Sequence, residues 1–245
     1  MKRTQAPQSS HPVGASLPRM NREQATMQNE IATALRKKIT AGELGPGARI
    51  AEDWVSSEMG VSRGPVREAI RVLETEGLVI ISPYRGATVS DVSLDELRNV
   101  LIPVRFILER QASLHAIETM DEADFDVLEE IVADMRAIAE ANSPQSTLAM
   151  VDLDVKFHQT LTEFGNQYHT LQLWRSIQSR IRIAFIRLAP HHRDLEEIVE
   201  EHASLLRALR TRDMGVVEAE LDVHIRSSVI ELIDVAEGKR AKPDA

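Results

Sequence analysis

The sequence predicts a mainly α-helical chain in two parts, a short helix–helix–helix–hairpin unit followed by an antiparallel all-helical bundle. Three observations carry this. Apolar residues recur at helical spacing along almost the whole chain after residue 21. The clearest exceptions, Leu78-Val79-Ile80-Ile81 and Ala87-Thr88-Val89, flank the turn-forming Ser82-Pro83-Tyr84-Arg85-Gly86. Aromatic residues are only 4% against 43% hydrophobic, so the core must be built from Leu, Ile, Val, Ala and Met, which suits packed helices better than a sandwich. A length of 245 residues accommodates two domains of ordinary size.

Residues 1–20 contain Pro7, Pro12 and Pro18 and no apolar period, and are expected to form a disordered tail. A first helix follows from about Asn21, with Ile31, Leu35 and Ile39 on one face and Gly42 as a stop. Leu44-Gly45-Pro46-Gly47 reads as a tight turn. A second helix is expected over Glu52–Met59, with Trp54, Val55 and Met59 as buried candidates and Gly60 ending it. Ser62 is positioned to cap a third helix whose inner face is Val66, Ile70 and Leu73, and whose first turn tolerates Pro65. Gly77 ends it before the hairpin. Residues 21–90 thus form one domain. Beyond it, helices are expected near 93–118, 121–141, 146–164, 167–189, 192–211 and 214–236, joined by short turns that make neighbours antiparallel. This second domain spans 91–238 and leaves 239–245 as a tail.

The net charge of −9 is unevenly placed. Residues 1–90 carry 12 Lys+Arg and 9 Asp+Glu, net +3, which leaves −12 for 91–245. The first part can approach phosphate and the second is repelled by it. The absence of cysteine excludes disulfides and thiolate metal sites and fits a cytoplasmic protein. No apolar run approaches the ~20 residues of a membrane span, and Lys2 and Arg3 precede no apolar stretch.

Helix, helix, helix, hairpin within about 70 residues is the plan of a winged helix-turn-helix. The third helix sets Arg63, Arg67 and Arg71 at i, i+4, i+8 opposite its apolar face. Such a stripe fits a major groove ~12 Å wide, where arginine can grip guanine O6 and N7. Ser62 and the first N–H groups of the helix can meet a phosphate. Arg85 and Gly86 lie at the hairpin, within reach of a phosphate or the minor groove. Periodicity alone equally allows ordinary surface charges on a small helical domain.

Leu44-Gly45-Pro46-Gly47-Ala48-Arg49-Ile50, Gly60-Val61-Ser62-Arg63-Gly64-Pro65-Val66-Arg67-Glu68-Ala69-Ile70, Leu73-Glu74-Thr75-Glu76-Gly77-Leu78 and Arg85-Gly86-Ala87-Thr88-Val89 together resemble the GntR superfamily of bacterial regulators, collinearly over roughly 25–90. The resemblance implies that Ser62, Arg63, Gly64, Arg67 and Gly86 lie against DNA. This chain departs from the pattern at Asp53, where some members carry a further DNA-contacting arginine, and at Gly64, where relatives often carry Thr.

In the second domain Asp154 and His158 are i, i+4 and share a helix face. His202 and His224 lie 11 residues either side of residue 213, where a turn is expected, so both rings sit at one level, ~16 Å along the hairpin. One carboxylate and three imidazoles can converge there, a set that suits Zn²⁺ or another first-row divalent ion; hydrogen-bonded core histidines are the alternative. Phe157, Leu161, Leu205, Leu206, Leu209, Leu221, Val223 and Ile225 are expected around them. Arg105 falls in the apolar run Val104-Arg105-Phe106-Ile107-Leu108-Glu109. It either pairs with Glu109 at i+4 or grips a ligand carboxylate. An all-helical domain here is similar to the FadR-like branch with its FCD effector domain. That resemblance implies metal binding by Asp154, His158, His202 and His224, with Zn, Ni or Mn as the ion, and an effector contact at Arg105. His115, His169, His191 and His192 fall outside its pattern.

The expected whole is a homodimeric, ligand-responsive repressor that binds a palindromic operator and senses a small organic acid. The rival is a metal-dependent hydrolase built on the same Asp/His set. Against it, no general-base motif such as HExxH is present, and Glu201 beside His202 is expected to point ~100° away.

Overall fold

A computed structural model of the chain describes residues 22–143, 145–191 and 194–239. The tail expected at 1–20 lies outside them, as does 240–245 of the second tail. The N-terminal unit runs α1 (Arg22–Thr40), β1 (Arg49–Ile50), α2 (Glu52–Met59), α3 (Arg63–Thr75), β2 (Val79–Ser82) and β3 (Gly86–Val89). Its antiparallel sheet has the order β1-β3-β2, with Arg49 opposite Thr88 and Ser82 opposite Gly86. The hairpin is as expected; the two-residue β1 was too short to leave a sequence period.

The core of this unit joins Ile31, Leu35 and Ile39 of α1 to Val66, Ile70 and Leu73 of α3 and Val79 and Val89 of the hairpin. Gly60 ends α2 in the left-handed region at φ 66°, where a side chain would be strained. On α2 the structure corrects the expected burial. Val55 is buried, but Trp54 and Met59 are 39% and 37% exposed. An eight-residue helix that packs one edge on α3 buries only one stripe, and neither residue lies at its centre. Ser62 occupies the cap position of α3, yet its side chain makes no capping hydrogen bond.

The bundle comprises α4 (Leu94–Glu96), α5 (Ile102–Thr119), α6 (Glu122–Ala141), α7 (Ser146–Phe164), α8 (Tyr168–Leu188), α9 (Leu195–Arg210), α10 (Met214–Leu221) and α11 (Ser228–Ala236). Asp121, Asp194 and Asp213 cap α6, α9 and α10 by accepting hydrogen bonds from the exposed backbone N–H groups. Two expected long helices each contain a wider π-turn, at Leu97–Leu101 and Asp222–Ser227. Such turns insert a residue into the ladder and are frequent at functional sites. The second turn leaves Val223 52% exposed, not buried as expected, while it buries both His224 and Ile225. The apolar core runs through all the long helices, from Leu128 and Ile131 on α6 to Leu205 and Leu209 on α9 and Ile233 on α11.

One helix serves both units. Ile183 of α8 is buried within the N-terminal core, while its neighbours Ile181 and Ala184 belong to the core of the bundle. Arg182 donates to the Thr40 carbonyl at 3.2 Å, and Arg187 donates to the Val92 carbonyl at 3.1 Å. The Arg180 guanidinium lies against Gly77 so closely that a Cβ there would meet it at 2.6 Å.

Candidate functional site

The sequence-expected metal set does converge. Asp154 and His158 project from one face of α7, His202 from α9, and His224 from the π-turn between α10 and α11. One ligand atom from each lies within 4.8 Å of all the others, and all four residues are buried. The rings orient from outside. His158 Nδ1 faces Glu109 Oε2 at 2.5 Å, His202 Nδ1 faces the Ile198 carbonyl at 2.8 Å, and His224 Nδ1 faces Glu201 Oε2 at 3.2 Å. These acceptors place the proton of each neutral ring on Nδ1, so the three Nε2 atoms present lone pairs to one another.

That arrangement is unfavourable without a cation. His158 Nε2 and His224 Nε2 stand 2.8 Å apart. His202 Nε2 lies 3.3 Å from Asp154 Oδ1 without a hydrogen bond between them, acceptor against acceptor in this tautomer, and Asp154 Oδ2 is likewise buried with no hydrogen-bond partner. Buried, unpaired acceptors are costly, and facing lone pairs repel. An oxygen and three imidazole nitrogens are the donors a first-row divalent ion prefers, so the residues fit one. The protonation states agree. Burial pushes the His158 imidazole down to about 4, with Arg105 adding to the effect and Glu109 opposing it. His224 is pushed down to about 3 by burial, then by His202. Burial alone would raise Asp154, but the neighbouring Arg105 guanidinium opposes it, and its carboxyl is held well below the usual range.

Arg105 makes the ion pair with Glu109 that its i, i+4 spacing allows, and one end of its guanidinium is left over. Its Nε donates to Glu109 Oε1 at 2.8 Å, yet its Nη2 has no hydrogen-bond partner and lies 3.7 Å from Asp154 Oδ2. Beside it is a cavity of about 60 Å³ open to the centres of water molecules, room for a few waters or a small ligand. Asp154, His202, His224 and Arg105 line one part, and Met150, Phe185 and other apolar side chains line the rest.

Sequence reasoning anticipated Glu109 only as a partner for Arg105 and set Glu201 aside. Glu109 is fully buried and serves as a hub for Arg105, His158 and the Trp174 indole, which donates at 3.0 Å. Glu201 was expected to point away, yet it reaches the cavity, faces His224 and accepts the Ser228 hydroxyl at 2.7 Å. Its signal was an i, i+1 pairing with His202 whose first residue serves the next helix, which single-helix geometry does not reveal.

The other candidate surface is α3 with the hairpin. Ser62, Arg63, Gly64, Arg67, Arg71, Arg85 and Gly86 are all exposed. The arginine stripe faces outward while Val66, Ile70 and Leu73 are buried behind it. Arg63, Arg67, Arg71 and Gly86 line an open groove between α3 and the hairpin, which Arg49 of β1, not anticipated, also lines. Arg85 sits in the three-residue tip, beyond the groove.

A winged helix-turn-helix joined to an all-helical bundle is the architecture of a DNA-binding transcription regulator. Residues 27–89 match the family described as "Bacterial regulatory proteins, gntR family", and residues 100–227 match the FCD domain. The chain belongs to the GntR family of transcriptional regulators and carries an FCD domain. It is 28% identical over 204 residues to the HTH-type transcriptional repressor RspR of Escherichia coli (strain K12), covering 82% of this chain and 86% of that one. It is 27% identical over 197 residues to the gluconate operon transcriptional repressor of Bacillus licheniformis, covering 76% and 77%. The solved structure of E. coli McbR/YncC superposes with a TM-score of 0.70 at 20% identity, covering 87% of this chain and 99% of that one, which places the fold. Among the described residues no helix is long and apolar enough to cross a membrane.

Proposed function

We propose that this regulator senses a small carboxylic acid in a metal-containing pocket of its helical domain and passes the signal to an operator-bound winged helix, acting as a repressor. The observation that carries the reading is the convergence of Asp154, His158, His202 and His224 beside a cavity that the partly unpaired Arg105 also lines. A divalent ion held there would supply a Lewis-acid attachment point for one carboxylate oxygen. Arg105 offers its Nη2 to the other, as a guanidinium does to a carboxylate. Apolar neighbours such as Met150 and Phe185 exclude water and accept the body of the acid.

Ser62, Arg63, Gly64, Arg67 and Arg71 face the major groove in this reading, with Arg85 and Gly86 at the adjoining backbone or minor groove. A homodimer places one such helix per half-site. The exposed apolar stripe Val100, Val104 and Ile107, at i, i+4, i+7, supports burial against a second copy. Helix α8 supports the coupling, because Phe185 lines the cavity while Ile183 anchors the N-terminal core. The hydrolase reading gains nothing from Glu201, whose carboxylate is committed to His224 and Ser228.

The test combines metal analysis with operator titration against a panel of small carboxylic acids. The reading expects about one ion per chain and an acid that shifts operator affinity by roughly 5–150-fold, the usual span of allosteric coupling. His202→Ala should lose both. A response that persists in metal-free protein rejects the pocket as the sensor, and turnover of the acid revives the enzyme.

A further inference from the structure

The two acidic residues that open α2 face the arginine stripe of α3, and they do so differently. Arg67 Nε and Nη2 donate to the two oxygens of Glu52 at 3.1 and 2.9 Å, a side-on double hydrogen bond. Arg63 Nε lies 2.7 Å from a single oxygen of Asp53, with both side chains 67% exposed. The Glu52 side chain is less exposed than that of Asp53, at 34%.

We infer that Glu52 is a positioning residue for DNA recognition, fixing the Arg67 guanidinium so that its free end reads a guanine. This rests on the reading of α3 as the groove-entering helix. A guanidinium has five N–H donors in a rigid fork. With Nε and one Nη2 hydrogen engaged by Glu52, the remaining Nη1 and Nη2 hydrogens form the end-on pair that matches guanine O6 and N7. The long, exposed arginine otherwise samples many rotamers, and ordering it at the moment of binding weakens every specific contact. Glu52 orders it beforehand. It also compensates the arginine charge, which lowers attraction to phosphate in general and leaves the base contact as the source of affinity. Asp53 shares the second effect only, since a single contact between exposed groups does not hold a side chain in place.

The experiment is selection from a randomised duplex pool with the full-length protein, followed by affinity measurement on the selected site and on a scrambled duplex. Glu52→Gln keeps the size of the side chain but loses the charged double acceptor. It should relax the preference at one guanine per half-site and lower the ratio of selected to scrambled affinity by about 10-fold, while binding to scrambled duplex tightens. Glu58→Gln, an exposed change of the same charge on the same helix, should tighten both duplexes together and leave base preference intact. If Glu52→Gln behaves like Glu58→Gln, the positioning role is refuted and α3 stands. If Arg67→Ala binds the selected site as the wild type does, the groove assignment itself fails and the inference falls with it.

Discussion

The Nε2 atoms of His158 and His224 face each other at 2.8 Å while their Nδ1 atoms face Glu109 and Glu201. With both Nδ1 positions donating, the short approach sets lone pair against lone pair. Stripping divalent ions with a chelator should therefore lower the melting temperature, and returning Zn²⁺ should restore it. An ion at about 100 times its Kd stabilises by roughly 2.7 kcal/mol, which for a chain of this size is roughly 5–10 °C. Coincident melts with and without metal, measured calorimetrically, would remove the reason for the arrangement.

Glu109 holds three donors at once, Arg105 Nε, Trp174 Nε1 and His158 Nδ1, with no exposure to solvent. Glu109→Gln leaves the buried Arg105 without its counter-charge. A broken buried pair costs about 3–5 kcal/mol, and a lost orienting partner weakens metal affinity by about 10–100-fold. Urea unfolding and competitive metal titration read the two effects separately. A variant as stable as the wild type would show that Asp154 alone neutralises Arg105.

The helical periods carried most of this architecture in the sequence, because each long helix buries a continuous stripe whose spacing survives in one dimension. The i, i+4 pair Asp154/His158 and the turn-symmetric pair His202/His224 were legible for the same reason. What escaped was whatever depends on two elements together. Val223 and Trp54 were misplaced because a π-turn and a single-edged packing shift the phase after the pattern is read. Glu201 was dismissed by its angle to His202, since its partners Ser228 and His224 lie on other segments. The Glu52–Arg67 pair joins positions 15 residues apart, a separation with no periodic signature.

Arg105→Lys keeps a positive charge beside Glu109 but loses the planar fork. Metal content and operator affinity in the absence of acid should stay near wild type. Affinity for the acid should fall by about 10–150-fold, one hydrogen bond to a charged group being worth roughly 1.5–3 kcal/mol. Isothermal titration of metal-loaded protein measures this directly. An undiminished enthalpy and Kd would assign the carboxylate to the metal alone.

Gly77 is one of the places where the N-terminal unit meets α8. Its φ of 75° is one that side chains rarely adopt, and an added Cβ would meet the Arg180 guanidinium at 2.6–2.9 Å. Gly77→Ala therefore strains the turn after α3 and displaces the Arg180 guanidinium, loosening the contact with α8 near the place where Ile183 enters the N-terminal core. The strain should destabilise that unit by about 1–3 kcal/mol. Ile183→Ala removes the anchor without straining the turn, at about 2–4 kcal/mol. If α8 couples the units, both variants should split a single melting transition into two and shrink the acid-dependent change in operator affinity toward unity, while metal content holds at the wild-type level. A split melt with undiminished coupling would mean that the signal travels by another route, through the segment around Val92 that Arg187 grips.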